Sequence, residues 1–267
     1  MTDPDTSPEK HGAKEEISEF AKTAIIAVLL AMIIRTFLFE PFNIPSGSML
    51  PTLLVGDYLY VSKPAYGYSR HSFPFGLAAF DGRMMEEAPE RGDVVVFKLP
   101  TNTSIDYIKR IVAMPGETVQ VQNGRLYIDG ALVPREPVGL VDDIADEAGV
   151  PFSFGGRLTE YIETLPGGAT HRIYEESDRG PLDNTPVYTV PDNHYFVMGD
   201  NRDNSQDSRV QNLVGFVPFV NLVGRAERLF FSINDSAVWY NPLSWFGAVR
   251  YPRLFDPIGP VRPAEQS

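Results

Sequence analysis

The run "FAKTAIIAVLLAMIIRTFLF", from Phe20 to Phe39, limits what this chain can become more than any other feature. Its centre, Thr23 to Ile34, carries no charge, and Lys22 and Arg35 stand near its ends, where long basic side chains reach toward water. About 20 such residues in a helix cross the hydrocarbon of a bilayer. A buried core helix has the same composition, and a cleaved signal peptide is a further alternative. The sequence that follows, "EPFNIPSGSM", offers no clear small-x-small cleavage site directly after the run. The spacing therefore predicts an uncleaved anchor over 19–39, behind a polar tail, 1–18, whose first sixteen or so residues are expected to lack order. Lys10, Lys14 and Lys22 precede or open the run, and after Arg35 no basic residue occurs until Lys63. That asymmetry places the N-terminus in the cytoplasm and the body, 40–267, on the other side.

The body carries the signature of β structure. "DYLYVSK", "DVVVFKLP", "DYIKRIVAM" and "GRAERLFFSI" are short β-branched or aromatic runs broken by Gly, Pro, Asp and Asn. "VQVQNGRLYIDG" alternates with period two around Asn123-Gly124, a hairpin signal, and Asp129-Gly130 offers a second tight turn. No repeat and no βα alternation occurs. The expected fold is mainly β: one transmembrane helix, then an antiparallel catalytic body with a β-rich insertion over about 120–190. The stretch 135–186 is acidic and rich in Gly and Pro, and looks peripheral. Near the C-terminus, "WYNPLSWFGAVRYPRLF" sets aromatics around Arg250 and Arg253. Packing at a domain edge and contact with lipid headgroups both fit it.

Composition removes several chemistries. A formal net charge of −12 with no Lys/Arg-rich block argues against nucleic acid as a partner. The absence of cysteine excludes disulfides, a thiol nucleophile and cysteine-ligated zinc. What remains is hydroxyl chemistry, and "FNIPSGSMLPTLL" presents two serines, Ser46 and Ser48, between Pro45 and Pro51.

A serine nucleophile needs a base. His11, His71, His171 and His194 sit near no nucleophile motif and are expected at the surface, and there is no G-x-S-x-G elbow. The one S-x-x-K match, Ser7 to Lys10, lies in the tail and lacks the companion motifs that would give it meaning. A lysine can serve if burial lowers its pKa. Lys109, in "DYIKRIVAMPGE", shares a strand face with Tyr107 and Ile111, while Arg110 points the other way. Taken alone, a strand lysine is more often an edge residue. A third stretch, "YFVMGDNRDNSQDSR", fails as a calcium loop, because position 3 would be Arg202 and position 12 Gln211. A solvated turn and an active-site support loop both remain open for it.

"PSGSMLPTLLVGDYLYVSK", "DYIKRIVAMPGE" and "GDNRDNSQDSR", in that order behind an apolar anchor, resemble bacterial type I signal peptidases, from the anchor to about Arg209. The resemblance implies a serine endopeptidase that removes signal peptides from exported preproteins after a small-x-small sequence. It implies Ser48 as nucleophile, Lys109 as general base, and the Ser46 hydroxyl with the Ser48 N–H as oxyanion hole. By the same resemblance Ser205 orients the Lys109 amine, and Asp200, Arg202, Asp207 and Arg209 brace the loop. Ile44, Pro45, Met49 and Ile108 line shallow pockets for small side chains, and Met49 faces the bilayer side. Preproteins and the bilayer of the bacterial inner membrane are the implied partners, with the secretion translocase compatible, and no metal or cofactor is implied. The rivals are a tethered β module that binds peptides without cutting them and a self-cleaving Ser/Lys regulator, which would want a DNA-binding module where the anchor stands.

Overall fold

The computed structural model describes residues 9–73, 82–141, 157–238 and 240–262. Residues 1–8 of the expected tail, Ser7 among them, residues 142–156 of the insertion and Trp239 lie outside the described residues. Helix α1 (Glu9–Phe37) begins well before the expected anchor and enters the stretch read as tail. The reason is local: Ala, Lys and Glu are good helix formers whether or not they are apolar. The apolar portion, Glu15–Phe37, spans 23 residues, and its most apolar 18-residue stretch is not buried against the body. At a rise of ~1.5 Å per residue it measures about 34 Å, enough to cross a bilayer.

The helix stops at Phe37 because the chain turns directly into a strand. β1 (Phe39–Asn43) and β2 (Asp57–Ser62) pair antiparallel, and the loop between them carries both serines. β3 (Tyr68–Ser69) and β4 (Arg83–Met84) form a small ribbon. β5 (Val94–Leu99) and β6 (Asn102–Ala113) are a hairpin that sets Val95 opposite Lys109. β7 (Thr118–Gln122), β8 (Arg125–Ile128) and β9 (Ala131–Leu132) form a meander. Its turns are the two read from sequence: Asn123 and Gly124 take φ of 47° and 71°, Asp129 and Gly130 take 51° and 74°. β10 (Arg135–Val141), β11 (Leu158–Thr164) and β12 (Thr170–Glu175) make a three-stranded sheet, while β13 (Tyr188–Thr189) joins the meander beside β7. β14 (His194–Met198), β15 (Val217–Pro218) and β16 (Leu222–Ser232) complete the body.

The main sheet has seven strands in the order β1-β2-β16-β5-β6-β14-β15, every pair antiparallel. β2 alternates buried Asp57, Leu59 and Val61 with Tyr58 and Tyr60, whose rings are exposed. β5 is buried on both faces, and its Val94 and Val96 belong to one apolar cluster while Val95 and Phe97 belong to another. The long hairpin β5–β6 is thus fixed by apolar packing on two sides before any polar contact is counted.

The stretch expected to be a peripheral insertion is not peripheral. The β12 backbone is tied to the loop after β14: Tyr174 N–H donates to the Asp200 carbonyl at 2.8 Å, and Arg202 N–H to the Tyr174 carbonyl at 2.9 Å. Leu158 and Tyr174 pack with Leu50, two residues beyond Ser48. The aromatic stretch near the C-terminus divides in two. Tyr240, Leu243, Phe246 and Tyr251 are exposed around a short helix, Pro242–Ala248. Arg253 turns inward and donates to Asp57 at 2.6 Å, and Arg250 donates to the Val55 carbonyl at 3.0 Å. Those two cations are committed to the fold rather than offered to headgroups.

Candidate active site

The serine loop enters a one-turn 3₁₀ helix, Gly47–Met49, with Ser46 at its N-cap. The first amides of such a turn have no partner within it. The Ser46 side chain makes no capping hydrogen bond, so its hydroxyl is uncommitted to the turn, and it lies 3.4 Å from Ser48 Oγ. The carbonyls face elsewhere. Asn201 Nδ2 donates to the Gly47 carbonyl at 3.1 Å, and Asn201 N–H donates to the Ser48 carbonyl at 3.2 Å. One residue of the loop after β14 therefore fixes both carbonyls of the serine turn. Gly199 explains how that loop comes so close. A Cβ there would lie 2.2 Å from Ser205 Oγ and 2.5 Å from the Ser48 carbonyl oxygen.

Lys109 reaches the same point from β6. Its Nζ donates to Ser48 Oγ at 2.6 Å and to the Ile108 carbonyl at 2.9 Å, and the residue is 3% exposed. The Tyr107 ring lies 5.5 Å away on the strand face that alternation assigned to both residues. Burial disfavours the ammonium and pulls the Lys109 pKa from 10.5 down to about 8, against the pull of Asp207 and Asp200 and with the help of Arg209. A cleft of about 740 Å³ opens in front of Ser48 and Lys109, with Pro45, Tyr107, Ile108 and Leu182 in its walls.

Four of the supporting residues occupy one buried network, in which Arg209 Nη2 donates across the loop to the Arg202 carbonyl. Arg110 grips Asp200 with both arms, at 2.8 and 2.6 Å, and Thr52 also donates to that carboxylate. Arg202 holds Glu163 of β11 in a two-pronged pair. Arg209 pairs with Asp207 through two contacts of 2.9 Å, and Asp207 accepts Gly199 N–H at 3.0 Å. Burial alone would raise the Asp207 pKa, but Arg209 and these hydrogen bonds hold it below the ordinary carboxylate range. Ser205 differs from its expected role: Lys109 Nζ bonds to Ser48 and Ile108, not to Ser205. Ser205 Oγ is buried, makes no regular hydrogen bond, and lies near enough to Asp207 to favour its charge.

Two of the expected pocket residues are elsewhere. Met49 is fully buried and Ile44 is 3% exposed, and both belong to the core cluster beneath the turn rather than to the cleft. The 3₁₀ turn rotates Met49 away from Ser48, so neither the cleft nor the bilayer meets it. Pro45 and Ile108 do line the cleft, joined by Tyr107 and Leu182. His171, expected at the surface, is buried between Glu163 at 3.4 Å and Asp200 at 3.9 Å. Burial, then the neighbouring Arg110 and Arg202, keep its imidazole neutral. Sequence reading also missed Asn201, Glu163 and Thr52. Asn201 stood in a polar run whose first position had drawn the attention, and nothing in "LTEYIET" marked Glu163. No group of His, Cys, Asp or Glu side chains suited to a metal occurs among the described residues.

Comparison with known proteins gives a consistent result. The family profile described as "Signal peptidase, peptidase S26" matches residues 17–231. The chain is similar to a signal peptidase I of Rickettsia conorii, 37% identical over 274 residues, 96% of this chain and 97% of the relative. It is 36% identical to a signal peptidase I of Rickettsia prowazekii over 262 residues, 91% of this chain and 92% of that one. Among solved structures, a crystal structure of a signal peptidase I from Enterococcus faecalis is 29% identical over 52% of this chain and 97% of that chain, with a TM-score of 0.29.

Proposed function

We propose a serine–lysine mechanism from one premise: the chain belongs to the signal peptidase family, peptidase S26. It is a membrane-anchored serine peptidase that cleaves signal peptides. The reading of the site rests above all on one contact, Lys109 Nζ to Ser48 Oγ at 2.6 Å. The neutral amine takes the Ser48 proton as Oγ attacks the scissile carbonyl carbon. The charge that develops on the carbonyl oxygen falls between the Ser46 hydroxyl and the Ser48 N–H, donors that gain most in the tetrahedral state. The Lys109 ammonium then returns its proton to the departing amine of the mature protein. Water, deprotonated by the same lysine, releases the signal peptide from Ser48.

The cleft walled by Pro45, Tyr107 and Ile108 is read as the seat of the small side chains of a small-x-small substrate. The basic residues before the anchor favour an N-terminus in the cytoplasm and the body on the outer side of a bacterial inner membrane. A substrate whose own apolar segment lies in that membrane meets the site at raised effective concentration. The test is cleavage of a purified preprotein by Ser48→Ala and Lys109→Arg. Both variants fold and lose activity by at least ~10³-fold, and wild-type activity climbs with pH to a plateau above about 8. Near-normal cleavage by either variant would sink the dyad.

A further inference from the structure

A second cleft lies where the anchor meets the body. Between the last turns of α1 and the edge of the main sheet is a cavity of about 770 Å³. Arg35 enters it from the helix, and Glu40, Lys63, Arg70, Lys98 and Asp106 enter it from the body. Four Lys or Arg side chains thus face two carboxylates, in a chain whose formal net charge is −12. The carboxylates are already engaged. Glu40 is shared by Arg35 at 3.2 Å and Lys63 at 2.9 Å, and Asp106 holds Lys98 at 2.8 Å. Arg70 is exposed, forms no ion pair among the described residues, and donates from Nε to His71 Nε2 at 3.4 Å. His71 registers the sign of this field: burial, then Arg70, Lys98 and Arg83, lower its pKa.

We propose that this cleft seats the phosphate of an anionic phospholipid headgroup, clasping the anchor to the catalytic body. The depth of the cleft argues for a lipid. Arg35 is two residues from the end of the apolar span, so it sits about 3 Å short of the level where the helix leaves hydrocarbon. Tyr68 and Phe73 pack edge-on against Phe37, at 5.9 and 5.8 Å, and Tyr68 Oη donates to the Phe37 carbonyl at 2.7 Å. Amphipathic rings such as that of Tyr68 collect at the headgroup level. A guanidinium fork with no carboxylate partner is matched to phosphate oxygens. Asp106 lines this cleft and the catalytic cleft alike. A headgroup held here therefore sets the height of Ser48 above the bilayer.

The test uses the full chain in a neutral detergent, titrated calorimetrically with short-chain phosphatidylglycerol, with phosphatidylcholine of equal chain length, and with inorganic phosphate. Phosphatidylglycerol is expected to saturate a site roughly fivefold or more tighter than phosphatidylcholine, and Arg70→Gln to weaken it roughly fivefold, with Arg70→Lys retaining most of the affinity. Lys98→Gln carries the same expectation if Arg70→Gln does not fold. Equal affinity for the two lipids, or no effect of removing the charge, overturns the proposal. Inorganic phosphate binding as tightly as phosphatidylglycerol also overturns it, in favour of a soluble anion. A raised KM of Arg70→Gln for a soluble signal-peptide substrate in lipid-free detergent overturns it in favour of the preprotein. The binding readout needs no catalysis, so it stands apart from the fate of the serine–lysine mechanism.

Discussion

Replacing Lys109 by Met is expected to abolish cleavage while making the folded chain more stable near neutral pH. Burial holds the Lys109 pKa at about 8, against 10.5 for a solvated lysine. That gap corresponds to about 3 kcal/mol of destabilisation when the ammonium is buried. Below pH 8 both states carry the proton and the cost is present in full. Between about 8 and 10.5 the folded chain has released a proton that the unfolded chain still binds, so wild-type stability rises with pH. Above 10.5 the amine is neutral in both states and the cost disappears. Methionine has nearly the same length and no charge, but it forfeits the hydrogen bonds to Ser48 Oγ and Ile108, about 1 kcal/mol each. The net gain is therefore about 1 kcal/mol near pH 7, turning to a loss at high pH. Urea unfolding of the full chain in nonionic micelles, followed by circular dichroism at pH 6.5 and pH 10.5, measures the difference. An advantage for the variant that is the same at both pH values would refute the reasoning, as would a variant less stable than wild type at pH 6.5.

Ser46→Ala removes one of the two proposed oxyanion donors and leaves the turn intact, so kcat should fall by about 10²-fold with KM little changed. Steady-state kinetics on a signal-peptide substrate would show it, and an unchanged kcat would remove Ser46 from the site. Gly199→Ala places a methyl 2.5 Å from the Ser48 carbonyl oxygen and 2.2 Å from Ser205 Oγ, so the two loops must separate. The protein should remain folded with kcat reduced about 10²-fold, since small displacements of a nucleophile have effects of that size. Full activity in that variant would show that the loops tolerate separation. Glu175 is pushed up from 4.5 to about 8 by burial, opposed by Arg202 and Arg135. Its native state holds a proton the unfolded chain gives up, so wild-type stability falls as pH rises from 4.5 through 8. Glu175→Gln should escape that loss and be more stable by a few kcal/mol at pH 8. Denaturant midpoints at pH 4.5 and 8 test it, and a constant difference between the two proteins would contradict it.

What the sequence revealed follows from which forces act locally. The hairpin at Asn123-Gly124 was legible because a tight turn imposes positive φ on two adjacent residues. The face of Lys109 was legible because a regular strand alternates, and Tyr107 duly lies beside it. The resemblance that put Ile44 and Met49 at the cleft carried no local geometry, and the 3₁₀ turn Gly47–Met49 sends Met49 into the core while Ser48 faces the cleft. His171 and Glu163 were illegible for a different reason. Their partners, Asp200 and Arg202, belong to a loop that reaches them only through tertiary packing, and β11 and β12 looked like decoration until the backbone bonds of Tyr174 tied them to that loop. The anchor was legible in kind and not in extent, because composition marks the apolar segment while helix propensity carries the turn structure back to Glu9.

A neutral lysine is hard to keep near carboxylates, and the network around Lys109 is best understood as the answer to that difficulty. Asp200 and Asp207 both favour the ammonium, and left unopposed they would return the amine toward its ordinary pKa. Each is matched by its own arginine: Arg110 holds Asp200 with two contacts, and Arg209 holds Asp207. Replacing these ion pairs with well-packed apolar groups is expected to be nearly neutral for stability, since buried pairs recover little more than their desolvation cost. Their use here is geometric. Asp200 positions Thr52 below the serine turn, and Asp207 positions the Gly199 amide above it. Asn201, between them in the chain, then fixes both carbonyls of that turn. The carboxylates serve as hydrogen-bond acceptors, and Arg209 offsets part of the charge that comes with them. Burial remains the dominant influence on Lys109, and a pKa of about 8 results, the range the proposed role as base requires.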